Sequence, residues 1–209
     1  MATLKYFAIF IVGGMSLFSC IKHEIIPPPR PMVELTGTFS ADTNGSQITY
    51  IKGLNGFDVV ATNYREILSP PQASSITYFS SMESTNLFES FRLSVGREFW
   101  NAADGQFPNV NLFRLYFENL KNLLSVPFSD DATQGVSLQW RDANNQLWRS
   151  KSDSPFPQSF VFLSVSQESD ETGDYVKFVS VFTATLYSLD GTQTVTLNNG
   201  TFTGYFKNN

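Results

Sequence analysis

The chain has 209 residues, a length that one β-sandwich commonly reaches, and it is 42% hydrophobic and 15% aromatic with 20 Phe. That much apolar surface excludes a disordered chain and supplies a substantial core. Charged residues make up only 16% and the formal charge is −5, with no basic run. The electrostatic footprint of a nucleic-acid binder is therefore missing, and anionic headgroups would not attract the chain. Any membrane attachment needs another cause.

The N-terminus supplies one. Lys5 is followed by an apolar stretch from Tyr6 to Leu17, YFAIFIVGGMSL. A segment of about a dozen residues suits a secretory signal and is too short to span a bilayer, which takes about 20. Leu17-Phe18-Ser19-Cys20 comes next, and here the sequence resembles the lipobox of bacterial lipoproteins. The resemblance implies cleavage after Ser19, so that residues 1–19 are the signal peptide. It also implies lipid on Cys20 as the membrane anchor, although Phe18 stands where the motif more often has a small residue. Each buried methylene contributes about 0.8 kcal/mol and one acyl chain binds only marginally. Two or three chains on Cys20 hold firmly. Cys20 is the only cysteine, so no disulfide is available and the fold relies on its core. Residues 20–32 then read as the lipidated Cys and a proline-rich tether, because Pro27-Pro28-Pro29-Arg30-Pro31 favours an extended polyproline spacer of about 3.1 Å per residue.

Residues 33–209 read as a single domain with period-2 alternation. Val33, Leu35, Phe39 and Ala41 share one parity, Asn44-Gly45 offers a turn, and Ile48 and Tyr50 follow. Leu54-Asn55-Gly56 punctuates before Phe57, Val59 and Ala61, and Ile76 and Tyr78 belong to another strand. Phe91, Leu93 and Val95 alternate with Arg92 and Ser94. Phe99-Trp100 leads into a loop, where an exposed Trp100 would be an anchor for a glycan or partner. From Asn111 to Leu124 the period changes. Phe113, Tyr116, Phe117, Leu120, Leu123 and Leu124 recur at three and four, predicting one amphipathic helix with Asn111 as N-cap and Pro127 barring continuation.

The segment from Val136 to Ser150 permits a register. A turn over Asp142-Ala143-Asn144-Asn145, with Asn145 left-handed, pairs Asp142 with Gln146, Arg141 with Leu147 and Trp140 with Trp148. The two indoles are thus predicted to be cross-strand neighbours. Later, Val176, Phe178, Ser180, Phe182, Ala184 and Leu186 face one way in a long strand, and Asp190-Gly191 signals a hairpin into Thr194–Leu197. The sequons Asn44-Gly45-Ser46 and Asn199-Gly200-Thr201 both read as turns.

Gly135 to Ser150 (GVSLQWRDANNQLWRS) resembles the GVxIxYxDxxGxxWxS stretch of small Bacteroidetes-type β-sandwich lipoproteins, with Asn145 in place of the usual turn Gly. Phe182 to Gly191, Leu197 to Phe202 and the opening Gly37 to Asp42 are also similar. The resemblance implies a β-sandwich lipoprotein and carries no catalytic residues over. The fold expected from the whole chain is mostly β: an antiparallel β-sandwich with one amphipathic helix near residues 111–124. It would be held at the cell envelope, at the outer membrane. The leaflet stays open, since Glu24 is the one acidic residue close behind Cys20.

Catalytic chemistry finds little footing. The single His23 lies three residues from the anchor, which removes Ser-His and Cys-His catalysis and leaves zinc without its usual ligands. Glu168, Asp170, Glu171 and Asp174, and the pair Asp130-Asp131, lack calcium-loop spacing. No cofactor or metal is expected, and no enzyme. The leading expectation is a non-catalytic module that binds an envelope partner or has a structural role. The alternative is a glycan-binding module using aromatics from among Trp100, Trp140, Trp148, Tyr64, Tyr116 and Tyr205. A carboxylate-dependent hydrolase is the third reading.

Overall fold

Ten antiparallel strands and one α-helix follow each other along the described residues of the computed structural model, 31–130 and 134–209. The leader, Cys20, His23, most of the tether and Asp131 lie outside them. In chain order the strands are β1 Thr38–Thr43, β2 Ser46–Ile51, β3 Phe57–Glu66, β4 Ser74–Ser84 and β5 Ser90–Trp100. Then come the helix α1 Val110–Lys121 and β6 Gly135–Arg141, β7 Leu147–Ser150, β8 Ser159–Asp170, β9 Gly173–Ser188 and β10 Thr194–Lys207. The fold is mostly β and antiparallel with a single helix, as the sequence predicts. Pro31–Asn209 forms one unit.

The strands hydrogen-bond in the order β2-β1-β10-β9-β7-β6-β5-β4-β3. β9 is the branch point. One edge pairs with β10 along its length, while the other pairs first with β8 up to Thr183 and then with β7 from Leu186. The sheet curls into a half-barrel. The curl stacks rings from its two halves: Phe39 of β1 lies on Phe91 of β5 at 4.0 Å, and the column continues through Phe182 at 5.5 Å to Phe160 at 6.0 Å. A second column runs from Phe117 of α1 through Phe206 at 4.7 Å to Phe178 at 4.5 Å. Phe202 joins the two, presenting its edge to Phe91 and Phe178. Offset and edge-on rings each add about 0.5–1.5 kcal/mol beyond the area they bury. Eleven Phe side chains belong to the buried core.

β1 pairs with β10 only as far as Thr38 opposite Thr203, which leaves the rest of that edge of β10 without a strand. Side chains complete it. Ser80 Oγ of β4 accepts from the Tyr205 N–H at 3.2 Å, and Asn63 Nδ2 of β3 donates to the carbonyls of Lys207 and Asn208, both at 3.0 Å. These bonds satisfy backbone groups that an open edge would offer to another chain.

The helix starts two residues before the predicted Asn111. Asn109 is the N-cap, accepting from the Asn111 and Leu112 N–H groups at 3.1 Å each, and Asn111 lies inside the first turn. Phe113, Phe117 and Leu120 are buried as the period requires. Leu123 and Leu124 fall beyond the end at Lys121, and Leu124 is 98% exposed. α1 packs its aromatic face between Tyr78 of β4 and the rings of Phe162 and Phe206.

The 136–150 hairpin has the register derived above. Trp140 pairs with Trp148 and Arg141 with Leu147, and the indole centroids are 6.5 Å apart. The Asp142 N–H donates to the Gln146 carbonyl at 3.0 Å, and Asn145 takes φ 64°. Asp142 clasps the turn: Oδ1 accepts from the N–H of Asn144 and of Gln146, both at 2.9 Å, and Oδ2 from Trp148 Nε1 at 3.1 Å. Asp142→Ala leaves three donors short of their acceptor and is expected to cost about 1–3 kcal/mol in urea unfolding. A change below about 0.5 kcal/mol, the usual range for a surface substitution, would show that the clasp is dispensable.

The two sequons differ. Asn44 and Gly45, at φ 48° and 81°, make the predicted turn between Thr43 and Ser46. Asn199 instead sits at φ 50° in a bulge within β10, which runs unbroken from Thr194 to Lys207. Gly200 then lies against the Phe182 ring, where any Cβ would collide with it. The need for that close approach, rather than for a turn, accounts for the Asn-Gly here.

Candidate functional site

Trp100 corrects an expectation. It ends β5 and is only 5% exposed, with Nε1 donating to the Gly105 carbonyl at 3.0 Å. The loop folds back to cap the indole, so it offers no face to a ligand. Trp140, Trp148 and Tyr205 are buried and Tyr116 is half-buried, whereas Tyr64 is 65% exposed. The Trp140 Nε1–H is used internally, donating to the Tyr50 hydroxyl at 2.9 Å.

In the acidic loop, Asp170 is committed to its own turn and to the chain before β1. Asp170 Oδ1 accepts from the Thr172 N–H at 2.7 Å and hydroxyl at 2.6 Å and from the Gly173 N–H at 3.1 Å, while Oδ2 takes the Val33 N–H at 2.6 Å. Those bonds, the Thr172 hydroxyl first, hold its carboxyl below the ordinary value. Among the described residues no group of three or more His, Cys, Asp or Glu is placed to hold a metal ion.

Two arrangements stand out, and neither is legible in the sequence. The first is buried. Glu98 of β5 is 5% exposed and accepts the Tyr78 hydroxyl at 2.5 Å. The Tyr78 hydroxyl also approaches Asn208 Oδ1 at 3.5 Å, and Asn208 Nδ2 donates to the Pro108 carbonyl at 2.9 Å. The Tyr116 hydroxyl of α1 is buried without a hydrogen-bond partner among the described residues. Desolvation pushes the Glu98 carboxyl up to about 7, with the Tyr78 hydrogen bond opposing the rise. The same burial and the nearby carboxylate push both phenols well above their ordinary value. A value near 7 suits proton transfer. A glycosidase pair, however, needs a second carboxylate, and the groups around Glu98 are two phenols and a carboxamide.

A bulge puts Glu98 there. Ile76 pairs with Glu98 and Tyr78 with Val95, so Gly96 and Arg97 together face Thr77. The extra residue inverts the parity: Phe99 is 52% exposed while Glu98 is inside. A glycine within a strict alternation is the one sequence sign of such a bulge, and Gly96 supplies it.

The second arrangement lies on the outer face of the sheet. Register sets Glu83, Ser90, Arg141 and Leu147 in one row across β4, β5, β6 and β7, and Arg92, Gln139 and Arg149 in the next. Glu83, Ser90, Arg92, Gln139, Arg141 and Leu147 line a polar hollow of about 260 Å³. Arg141 and Leu147 also border a wider groove of about 560 Å³ that continues past Asn145 and Gln146 to Ser188, Leu189, Asp190 and Gln193 at the β9–β10 turn. Sharing Arg141 and Leu147 as a common border, the two adjoin as a trough. Its polar groups are held in place: Arg141 Nη1 donates to Asn145 Oδ1 at 2.6 Å, Gln146 Nε2 to Gln193 Oε1 at 3.2 Å, and Arg92 lies 3.5 Å from Glu83. Asp190 is tied to its turn by Ser188 and Thr192, which keep its carboxyl below the ordinary value. Chemically, this is a row of donors and acceptors on rigid strands and turns, suited to holding a polar molecule in one orientation.

Comparison with protein families, with curated proteins and with solved structures finds no match to this chain. Function rests on the residues themselves.

Proposed function

We propose that this protein is a lipid-anchored, non-catalytic binding module of the bacterial cell envelope, fastened to the outer membrane through Cys20. The observation that carries the binding half is the trough: polar side chains from β4, β5, β6, the β6–β7 turn and the β9–β10 turn, open to solvent, with Arg141 bonded to Asn145 and Gln146 to Gln193. The anchor half is supported by Leu17-Phe18-Ser19-Cys20 behind a short apolar segment, and by the proline-rich stretch that separates it from the sheet. The likeness of Gly135 to Ser150 to small β-sandwich lipoproteins agrees with the anchor half.

Cell fractionation tests it. The wild-type chain is expected in the membrane pellet, with a mass that shows acyl groups on Cys20. Cys20→Ser is expected in the soluble fraction, because no other residue carries the hydrocarbon. An unmodified Cys20 sulfur, or a Cys20→Ser chain that still sediments with membranes, overturns the anchoring.

A further inference from the structure

Charge is distributed unevenly over this acidic protein. Arg92, Arg141 and Arg149 come from three adjacent strands and share one face of the sheet, close to Gln139. Arg92 is near Glu83, and Arg141 gives one bond to Asn145. Arg149 makes no side-chain hydrogen bond or ion pair among the described residues. A guanidinium has five N–H donors, so each of the three keeps several free. Arg92 also lies over the Phe79 ring at 5.5 Å, which steadies its plane. Arg92 and Arg141 are diagonal neighbours, about 7–8 Å apart at the backbone.

We infer that the trough binds an acidic polysaccharide, a hydroxyl-rich chain bearing carboxylates, with Arg92 and Arg141 gripping carboxylates and Gln139, Asn145, Gln146 and Gln193 taking hydroxyls. This deepens the binding-module reading and rests on it. Planar guanidinium forks match carboxylates bidentately. Side-chain amides pair with hydroxyls because each offers both donors and acceptors. A peptide recognised by strand addition needs a free sheet edge, whereas the trough lies on the face of β4 to β7, whose backbone groups are spent on neighbouring strands. Glu83 and Asp190 belong to the same lining. Glu83 is offset by Arg92 at 3.5 Å and Asp190 is tied into its own turn, while negative charge beyond about 10 Å is screened at 0.1 M salt.

Calorimetry on the full chain in detergent micelles tests the inference with three probes: polygalacturonate, neutral dextran and polyglutamate. Saturable binding to polygalacturonate alone is expected, weakened about ten- to a hundredfold by Arg92→Gln or Arg141→Gln and several-fold by Gln139→Ala. Unchanged unfolding midpoints in these half-exposed positions separate lost contacts from lost folding. Equal binding of dextran, or polygalacturonate binding indifferent to the Arg changes, overturns the acidic-ligand assignment and leaves the binding module standing. Equal binding of polyglutamate overturns the carbohydrate assignment. No binding of any probe overturns the inference outright, while the Cys20→Ser fractionation reports independently on the anchored reading beneath it.

Discussion

Raising the pH from about 5 to about 8 is expected to destabilise the domain by about 3 kcal/mol, and Glu98→Gln is expected to abolish most of that loss. Glu98 sits at about 7 in the folded protein, above the 4.5 of an ordinary carboxyl, because it is desolvated beside Tyr78 and Tyr116. Between those two values the folded chain keeps a proton that the unfolded chain has released. Stability therefore falls as pH rises through this window and levels off above it. The Asp170 and Asp190 carboxyls, held below their ordinary value, act in the opposite sense and only at lower pH. Thermal unfolding across the range is the measurement, and about 3 kcal/mol corresponds to roughly 6–12 °C for a domain of this size. At pH 8 the Glu98→Gln variant should melt above the wild type. Tyr78→Phe should move the wild-type transition to higher pH, since the lost hydroxyl is the bond that favours the ionised carboxylate. A wild-type midpoint indifferent to pH over this window would mean that Glu98 is solvated or paired.

Phe206→Ala should cost about 3–5 kcal/mol, the usual toll of deleting a fully buried ring. Phe206 has no exposed surface and stacks on Phe117 at 4.7 Å and on Phe178 at 4.5 Å, so it is the one ring that seats the helix on the β9–β10 pair. The cavity would open directly beneath α1. Amide exchange over Val110–Lys121 should accelerate more than exchange in β5 or β6. Phe156→Ala, at a half-exposed ring, should stay within about 0.5 kcal/mol. A loss below about 1 kcal/mol at Phe206, or uniform exchange throughout, would place the helix's support elsewhere.

The hairpins were legible because their causes are local. Trp140 faces Trp148 since Asn145 tolerates a left-handed backbone and the side-chain period of a strand is two, so one turn fixes every pair beyond it. Val176, Phe178, Ser180, Phe182, Ala184 and Leu186 are all buried for the same reason of parity. The helix was legible in its period but not in its first cap, as Asn109 and Asn111 are equally good caps until the chain before them is placed. The site was hardly legible at all. Trp100 reads as exposed because a loop follows it, and it is the fold-back to Gly105 that covers the indole.

The sequence by itself determined the alternation of the strands, the turns at Asn44-Gly45 and Asp142–Asn145, and the amphipathic helix, because steric limits on neighbouring residues decide them. Only the tertiary structure decided that β9 is shared between β7 and β8, that Ser80 and Asn63 finish the edge of β10, and that a bulge turns Glu98 inward. It alone brought Arg92 beside Gln139 and Arg141 on one face. These depend on which distant strands become neighbours. That choice is made by the burial of some thirty apolar side chains together, and no window along the chain contains it.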